Sequence, residues 1–154
     1  MTTRLDTSDE ARRDPLREPH LDLAFEIRVD VAEDLHIGRG ANERLAFTPI
    51  IGGTVDGPLL HGEVLAGGGD WSVQRDDTFQ LEARYLIRTE DGATIDILNR
   101  GYYRETANPE SPYFRTAPVF QTDSAAHRWL TEHQFLGLAR DEDQQIRIRV
   151  FVVR

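Results

Sequence analysis

The stretch LAGGGDWSVQRDD, residues 65–77, sets a carboxylate and an indole side by side, Asp70 and Trp71, directly after three glycines. Burial beside a flat apolar ring disfavours the ionised form of a carboxyl and makes it a useful proton donor or acceptor near neutral pH. Glycines lose more backbone entropy on ordering than other residues, so a run of them implies a sharp turn or a close approach. Together these features predict that the chain crosses a barrel rim at 67–69 and aims both Asp70 and Trp71 at a cavity. The competing assignment is structural, because Asp after Gly is a common turn former and Trp a common core residue.

Glu82 and Arg84 stand two apart in TFQLEARYLIRT and share one face of a strand. Such a pair has the chemistry of an ion pair, or of a clamp on a ligand carboxylate or enolate oxygen. Arg100 in LNRG and Arg115 in YFRTAP add guanidinium groups near Tyr102 and Phe114. If these side chains converge, a carbonyl-rich or anionic ligand is expected. The catalytic set is then Asp70, Arg84 and Arg115, and the ligand-binding set is Glu63, Trp71, Glu82, Arg100, Tyr102 and Phe114. A surface salt-bridge network explains the same arginines without any ligand.

Residue types exclude several chemistries. Cysteine is absent, which removes disulfides, thiolate nucleophiles and the usual structural zinc sites. All 18 basic residues are Arg, so there is no lysine for Schiff-base chemistry or for a lysine general base. His61 and Glu63 lie close in sequence, but no HxH or HExxH cluster accompanies them and no metal site is expected. None of Ser8, Ser72, Ser111 and Ser124 sits in a GxSxG elbow. The GGG run is followed by neither a helix start nor GK[ST], so it is not a phosphate loop, and no cofactor is expected. A net charge of −9 opposes nucleic-acid binding.

The elements that must position these residues are strands. A chain of 154 residues with 39% hydrophobic and 29% charged residues fits one soluble domain. Residues 1–20 are almost free of apolar side chains and read as a disordered or loosely attached tail. From residue 21 the period becomes two: LAFEIRVDV alternates Phe25, Ile27, Val29 and Val31 with Glu26, Arg28 and Asp30. Further strands are predicted in RLAFTPI, TVDGPLLHGEVL, DWSVQR, TFQLEARYLIRT, ATIDILNRGYYR, YFRTAPVFQT, QFLGLAR and QIRIRVFVV. Turn signals separate them: GG at 52–53, DGP at 56–58, DD at 76–77, EDG at 90–92 and DEDQ at 141–144. One helix is expected near 123–131, capped by Thr122, Asp123 or Ser124, with Trp129 and Leu130 facing the core.

The fold class is therefore all-β, a single antiparallel β-barrel spanning 21–154 with one helix near the C-terminus. Along TFQLEARYLIRT the face Leu81, Ala83, Tyr85, Ile87 opposes Glu82, Arg84, Leu86, Arg88. Either the charged face meets solvent, or it lines a barrel wide enough to hold a small ligand. With no apolar run near the ~20 residues of a membrane span and no apolar signal core, a cytoplasmic location is expected.

PIIGGTVDGPLLHGEVLAGGGDW, LEARYLIRTEDGATIDILNRG and YFRTAPVFQT, followed by a Trp-bearing helix and the FLGLAR to IRVFVV hairpin, closely resemble the domain of unknown function 3237 family, also called uncharacterised protein family 0311. The resemblance runs in order from about residue 21 to the end. It implies a single antiparallel β-barrel, a homodimer or higher homo-oligomer, and relatives associated with polyketide and other small-molecule pathways. It leaves the chemistry open.

Two functional classes follow. One is a cofactor-independent acid/base enzyme, an isomerase, cyclase or lactone-handling catalyst, in which Asp70 moves a proton and Arg84, Arg100 or Arg115 stabilises an enolate-like oxygen. The other is a non-catalytic barrel that binds or carries a small molecule between walls of Trp71, Tyr102 and Phe114. Neither involves nucleic acid or a membrane.

Overall fold

The computed structural model describes residues 14–154. Of the expected tail, residues 1–13 lie outside the described residues. His20 already exchanges backbone hydrogen bonds with Arg154, at 2.8 and 2.9 Å. The strands are β1 (Leu21–Val31), β2 (Leu35–Arg39), β3 (Arg44–Asp56), β4 (Gly62–Val64), β5 (Gly68–Arg75), β6 (Thr78–Thr89), β7 (Thr94–Arg104), β8 (Tyr113–Gln121), β9 (Phe135–Asp141) and β10 (Gln145–Val153).

Every pairing is antiparallel, and the ring closes through β1 against both β10 and β3. The short strands β4 and β5 both fill the gap between β3 and β6, and β2 continues the ladder beside β3 past the end of β1. The result is a closed barrel of eight strand positions. Closure removes the unpaired edges that an open sheet would expose.

Side chains alternate as the period of two requires. In β8, Phe114, Thr116, Pro118 and Phe120 are buried, while Tyr113, Arg115, Ala117 and Val119 are exposed. Ile27, Ile87, Ile95, Ile97, Phe120 and Val150 fill one half of the interior. A 3₁₀ helix, Ala125–Thr131, joins β8 to β9 and plugs that end with Leu130, while Trp129 packs on Phe135. The helix expected near 123–131 is thus a tighter 3₁₀ turn. Ser124 occupies its N-cap without a side-chain cap, and Thr122 instead accepts from the Ser124 N–H and donates to the Thr94 carbonyl.

The turns at 56–58, 76–77, 90–92 and 141–144 are present, with Asp76, Gly92 and Asp143 at positive φ. Gly52 and Gly53 do not end a strand. They lie inside β3, beside the register shift where β1 leaves it, and the expected strand TVDGPLLHGEVL is divided, its first three residues ending β3 and Gly62–Val64 forming β4.

Candidate functional site

The half of the barrel opposite the 3₁₀ helix is hollow. A cavity of about 850 Å³ opens there, between the C-terminal end of β1, the β9–β10 turn and the facing ends of β3, β5, β6, β7 and β8. This volume is that of a small-molecule site.

Asp70 lies on its wall, put there by the glycines. Gly67 takes φ 114° and turns the chain into β5. At Gly68 a Cβ would collide with the Arg84 carbonyl and the Tyr85 side chain, and at Gly69 with the Phe47 ring, so β5 fits against its neighbours only with glycine at these places. The run therefore serves close approach as well as turning. Asp70 then stands opposite Thr48 on β3 and Ala83 on β6, and Ala83 stands opposite Asn99 on β7. All four line the cavity.

The Asp70 carboxylate accepts a hydrogen bond from the Glu82 N–H at 3.1 Å. Burial outweighs that bond and pushes the carboxyl up to about 6, with the charges of Asp34 and Glu82 adding to the rise. Tyr85, two residues along β6, is buried, and burial together with the Asp70 charge raises its phenol far above the ordinary range, so it stays an O–H donor. Among the described residues the Tyr85 hydroxyl, the Asn99 carbonyl oxygen and the Thr116 hydroxyl are buried without a hydrogen-bond partner. All three residues line the cavity. An unpaired buried polar group costs about 1–3 kcal/mol, and ligand-binding sites are where that cost is recovered.

Aromatic rings form the wall nearer the opening. Tyr103 meets Phe79 and Phe114 edge to face, with centroids 5.8 and 5.5 Å apart. Of the residues singled out from the sequence, Asp70 and Phe114 face the cavity. The rest do not, and the expectation that Glu82, Arg84, Arg100 and Arg115 share one cavity is corrected here.

Trp71 is the direct neighbour of Asp70 in a strand, so it must point the other way; it lies outside on Phe47, centroids 4.7 Å apart. Glu82 and Arg100 pair with each other on the outer face, 3.2 Å apart, and Arg84 pairs with Asp96 at 3.1 Å. Arg115 reaches over the Tyr113 ring and donates to the Phe114 carbonyl, while Tyr102 and Glu63 are also exposed. Their even spacing with Leu86 and Arg88 had two possible faces, and the apolar set Leu81, Ala83, Tyr85 and Ile87 took the inside. Tyr85, Asn99 and Thr116 were missed, although each occupies an inward position of its strand where an apolar residue would be usual. Among the described residues, no group of His, Asp and Glu is arranged to hold a metal ion, and no helix is long and apolar enough to cross a membrane.

The family model described as "Protein of unknown function (DUF3237)" matches residues 19–153. The chain belongs to this family. Among its relatives, a UPF0311 protein of Clostridium acetobutylicum is 32% identical over 152 residues, covering 90% of this chain and 96% of that protein. A UPF0311 protein of Bradyrhizobium diazoefficiens is 35% identical over 150 residues, 88% of this chain and 98% of that protein. The hydroalkoxylation enzyme phnH of Penicillium herquei is 28% identical over 112 residues, 73% of this chain and 68% of that enzyme.

The crystal structure of a protein of unknown function from Clostridium acetobutylicum has a TM-score of 0.84 at 32% identity, covering 89% of this chain and all (100%) of that one. A β-barrel-like protein of Acinetobacter baumannii shares the fold with a TM-score of 0.84 at 22% identity, over 92% of this chain and 100% of that one. An enzyme from Penicillium herquei also shares it, at 23% identity and a TM-score of 0.73, over 92% of this chain and 99% of that one.

Proposed function

We propose that this DUF3237 barrel is a cofactor-independent acid/base enzyme of the isomerase or cyclase type, acting on a carbonyl-bearing, polyketide-like small molecule. The observation that carries the reading is one cavity wall on which the Asp70 carboxylate stands with the unpartnered oxygens of Tyr85, Asn99 and Thr116. The sequence relationship to an enzyme named for hydroalkoxylation supports a ring-closing addition of a hydroxyl to an alkene.

Written for a conjugated carbonyl, Asp70 in its ionised form takes the proton of a substrate hydroxyl, and that oxygen bonds to the β-carbon. The alkene electron pair becomes the double bond between the α-carbon and the carbonyl carbon, and the carbonyl π pair moves onto its oxygen, giving an enolate whose oxygen accepts a hydrogen bond from Tyr85. Asp70 then returns the proton to the α-carbon. The reaction is an isomerisation with no net redox change. A carboxyl held at about 6 is ionised at neutral pH yet basic enough to take the proton, and Tyr85 takes the oxyanion-stabilising role that the outward-facing arginines cannot fill.

Ring closure of 2′-hydroxychalcone to the flavanone, followed by loss of chalcone absorbance, is the test. The wild-type protein should accelerate closure over buffer, and Asp70→Asn should return it to the buffer rate while still binding the chalcone. A wild-type rate no faster than buffer, with the chalcone bound, would instead support a binding or carrier protein.

A further inference from the structure

Acidic side chains on this barrel differ in their partners. Several outside the cavity lining are ion-paired: Glu26 with Arg147 and Arg28, Glu43 with Arg75, Glu82 with Arg100, Asp96 with Arg84 and Glu142 with Arg140. Those around the cavity opening, Asp34, Asp141 and Asp143, have no basic partner among the described residues. Asp34 accepts only from the Thr48 hydroxyl at 2.7 Å, and Asp141 accepts from the Asp143 N–H at 2.9 Å. No Arg lines the cavity, and His36 is the sole side chain there that can carry positive charge among the described residues. Burial, with the charges of Asp143 and Asp34, raises the Asp141 carboxyl, so these acids act on one another through a shared field.

The second observation is inside. Tyr85, Asn99 and Thr116 line the cavity, are only 3%, 4% and 6% exposed, and have buried side-chain oxygens without partners among the described residues. Between that polar floor and the acidic opening stands the aromatic wall of Phe79, Tyr103 and Phe114. Aromatic faces beside carboxylates are the surroundings that recognise an organic ammonium, whereas a carboxylate or phosphate would meet only like charge.

We infer that the molecule held in this cavity is an organic cation: its oxygen-bearing body reaches Tyr85, Asn99 and Thr116, and a protonated amine sits at the opening among Asp34, Asp141 and Asp143. The inference rests on the reading of this cavity as the ligand site and adds the charge class of the ligand. It excludes substrates presented as free acids, phosphate esters or phosphate-bearing carrier thioesters, so the preceding step must deliver the molecule free of any such group.

Calorimetric titration with a matched series on one scaffold tests it: 2-naphthylmethylammonium, 2-naphthylmethanol and 2-naphthoate. The ammonium compound should bind about tenfold tighter than the alcohol, with no detectable binding of the carboxylate, and raised salt should erode the difference because the opening is solvent-exposed. The combined substitution Asp34→Asn, Asp141→Asn, Asp143→Asn should bring ammonium and alcohol to within about twofold of each other, as removal of the attracting charges requires.

Binding of the carboxylate equal to or tighter than the ammonium would overturn the inference. So would an ammonium advantage that survives the combined substitution, or failure of all three compounds to bind a folded protein. The same series on Asp70→Asn separates this inference from the catalytic reading. A charge order that persists while turnover is indifferent to Asp70 defeats only the catalysis, and an Asp70-dependent turnover without any charge order defeats only the cation.

Discussion

Asp70 and Trp71 are consecutive in β5 and lie on opposite sides of the barrel wall, the carboxylate in the cavity and the indole outside against Phe47. The pairing that looked like an acid shielded by a ring is two separate features. The carboxyl is raised by its own burial, and the indole covers part of the outer surface while remaining 49% exposed. Trp71→Ala should therefore leave ligand affinity within about twofold of wild type and cost about 1–2 kcal/mol in denaturant unfolding, from the lost contact with Phe47. A large loss of affinity at unchanged stability would place the indole in the site.

The outward arginines carry the same logic. Arg84 and Arg100 hold exposed ion pairs with Asp96 and Glu82, and exposed pairs of this kind contribute about 0–1 kcal/mol. Arg84→Gln, Arg100→Gln and Arg115→Gln should each leave turnover of 2′-hydroxychalcone within about twofold of wild type, since none of these guanidinium groups reaches the cavity. A hundredfold loss in any one of them would restore the arginine-based oxyanion site.

Much of the fold was legible because strand period and turn chemistry are local. LAFEIRVDV and YFRTAPVFQT state their buried faces residue by residue, and the turns at Asp76, Gly92 and Asp143 sit where the sequence marks them. What alternation cannot state is which face of a strand closes inward when both are mixed. Glu82 and Arg84 could be assigned to the interior only by supposing that the barrel hides charge, and the apolar set on β6 is the cheaper one to bury. Tyr85, Asn99 and Thr116 were invisible for a related reason: each is an ordinary strand residue in sequence, and what marks it, a buried oxygen without a partner, exists only once neighbouring strands are in register. Gly52 and Gly53 read as a turn because glycine signals a bend, and they turned out to allow β3 to change partners.

Asp91 ties the β6–β7 turn to the 3₁₀ helix that plugs the barrel. It accepts from the Thr89 hydroxyl and meets the His127 Nε2 at 2.9 Å. The Thr89 bond first, and His127 second, pull its carboxyl down to about 2. A depressed carboxyl adds stability above its unfolded value of about 4 and loses it as pH falls toward 2. Asp91→Asn should unfold at lower temperature than wild type at pH 5–7, and the two melting temperatures should converge near pH 2. A gap of constant size across that range would mean that shape, and not charge, holds the turn.

Tyr85→Phe distinguishes a site residue from a core residue. Its hydroxyl is buried with no protein partner, so the fold loses nothing when the oxygen is removed and regains part of the ~1–3 kcal/mol cost of an unpaired polar group. The variant should melt at or above the wild-type temperature while kcat for chalcone closure falls about 10²-fold, the usual effect of deleting one oxyanion donor. A variant that is less stable with unchanged kcat would show that the hydroxyl serves the fold.

For Asp70 the sign of the pH effect is fixed by burial. The folded carboxyl is raised from 3.8 to about 6, so between those values the folded protein binds more proton than the unfolded chain. Stability must then fall as pH rises through this window, and above about 6 the ionised group carries its full cost, no more than about 3 kcal/mol. Asp70→Asn removes the titration and keeps an oxygen that can accept from the Glu82 N–H. Its melting temperature should match wild type near pH 4 and exceed it at pH 7–8. Activity runs the opposite way, because the base must be ionised: wild-type kcat/KM should rise with pH to a plateau, with an acid limb near 6 that the variant lacks along with the catalysis. Both measurements address one group, so the pH at which the stability gap levels off must coincide with the midpoint of the acid limb in kcat/KM. If the stability gap instead opened below pH 4, Asp70 would be held ionised by its backbone hydrogen bond, and its place on the cavity wall would be structural.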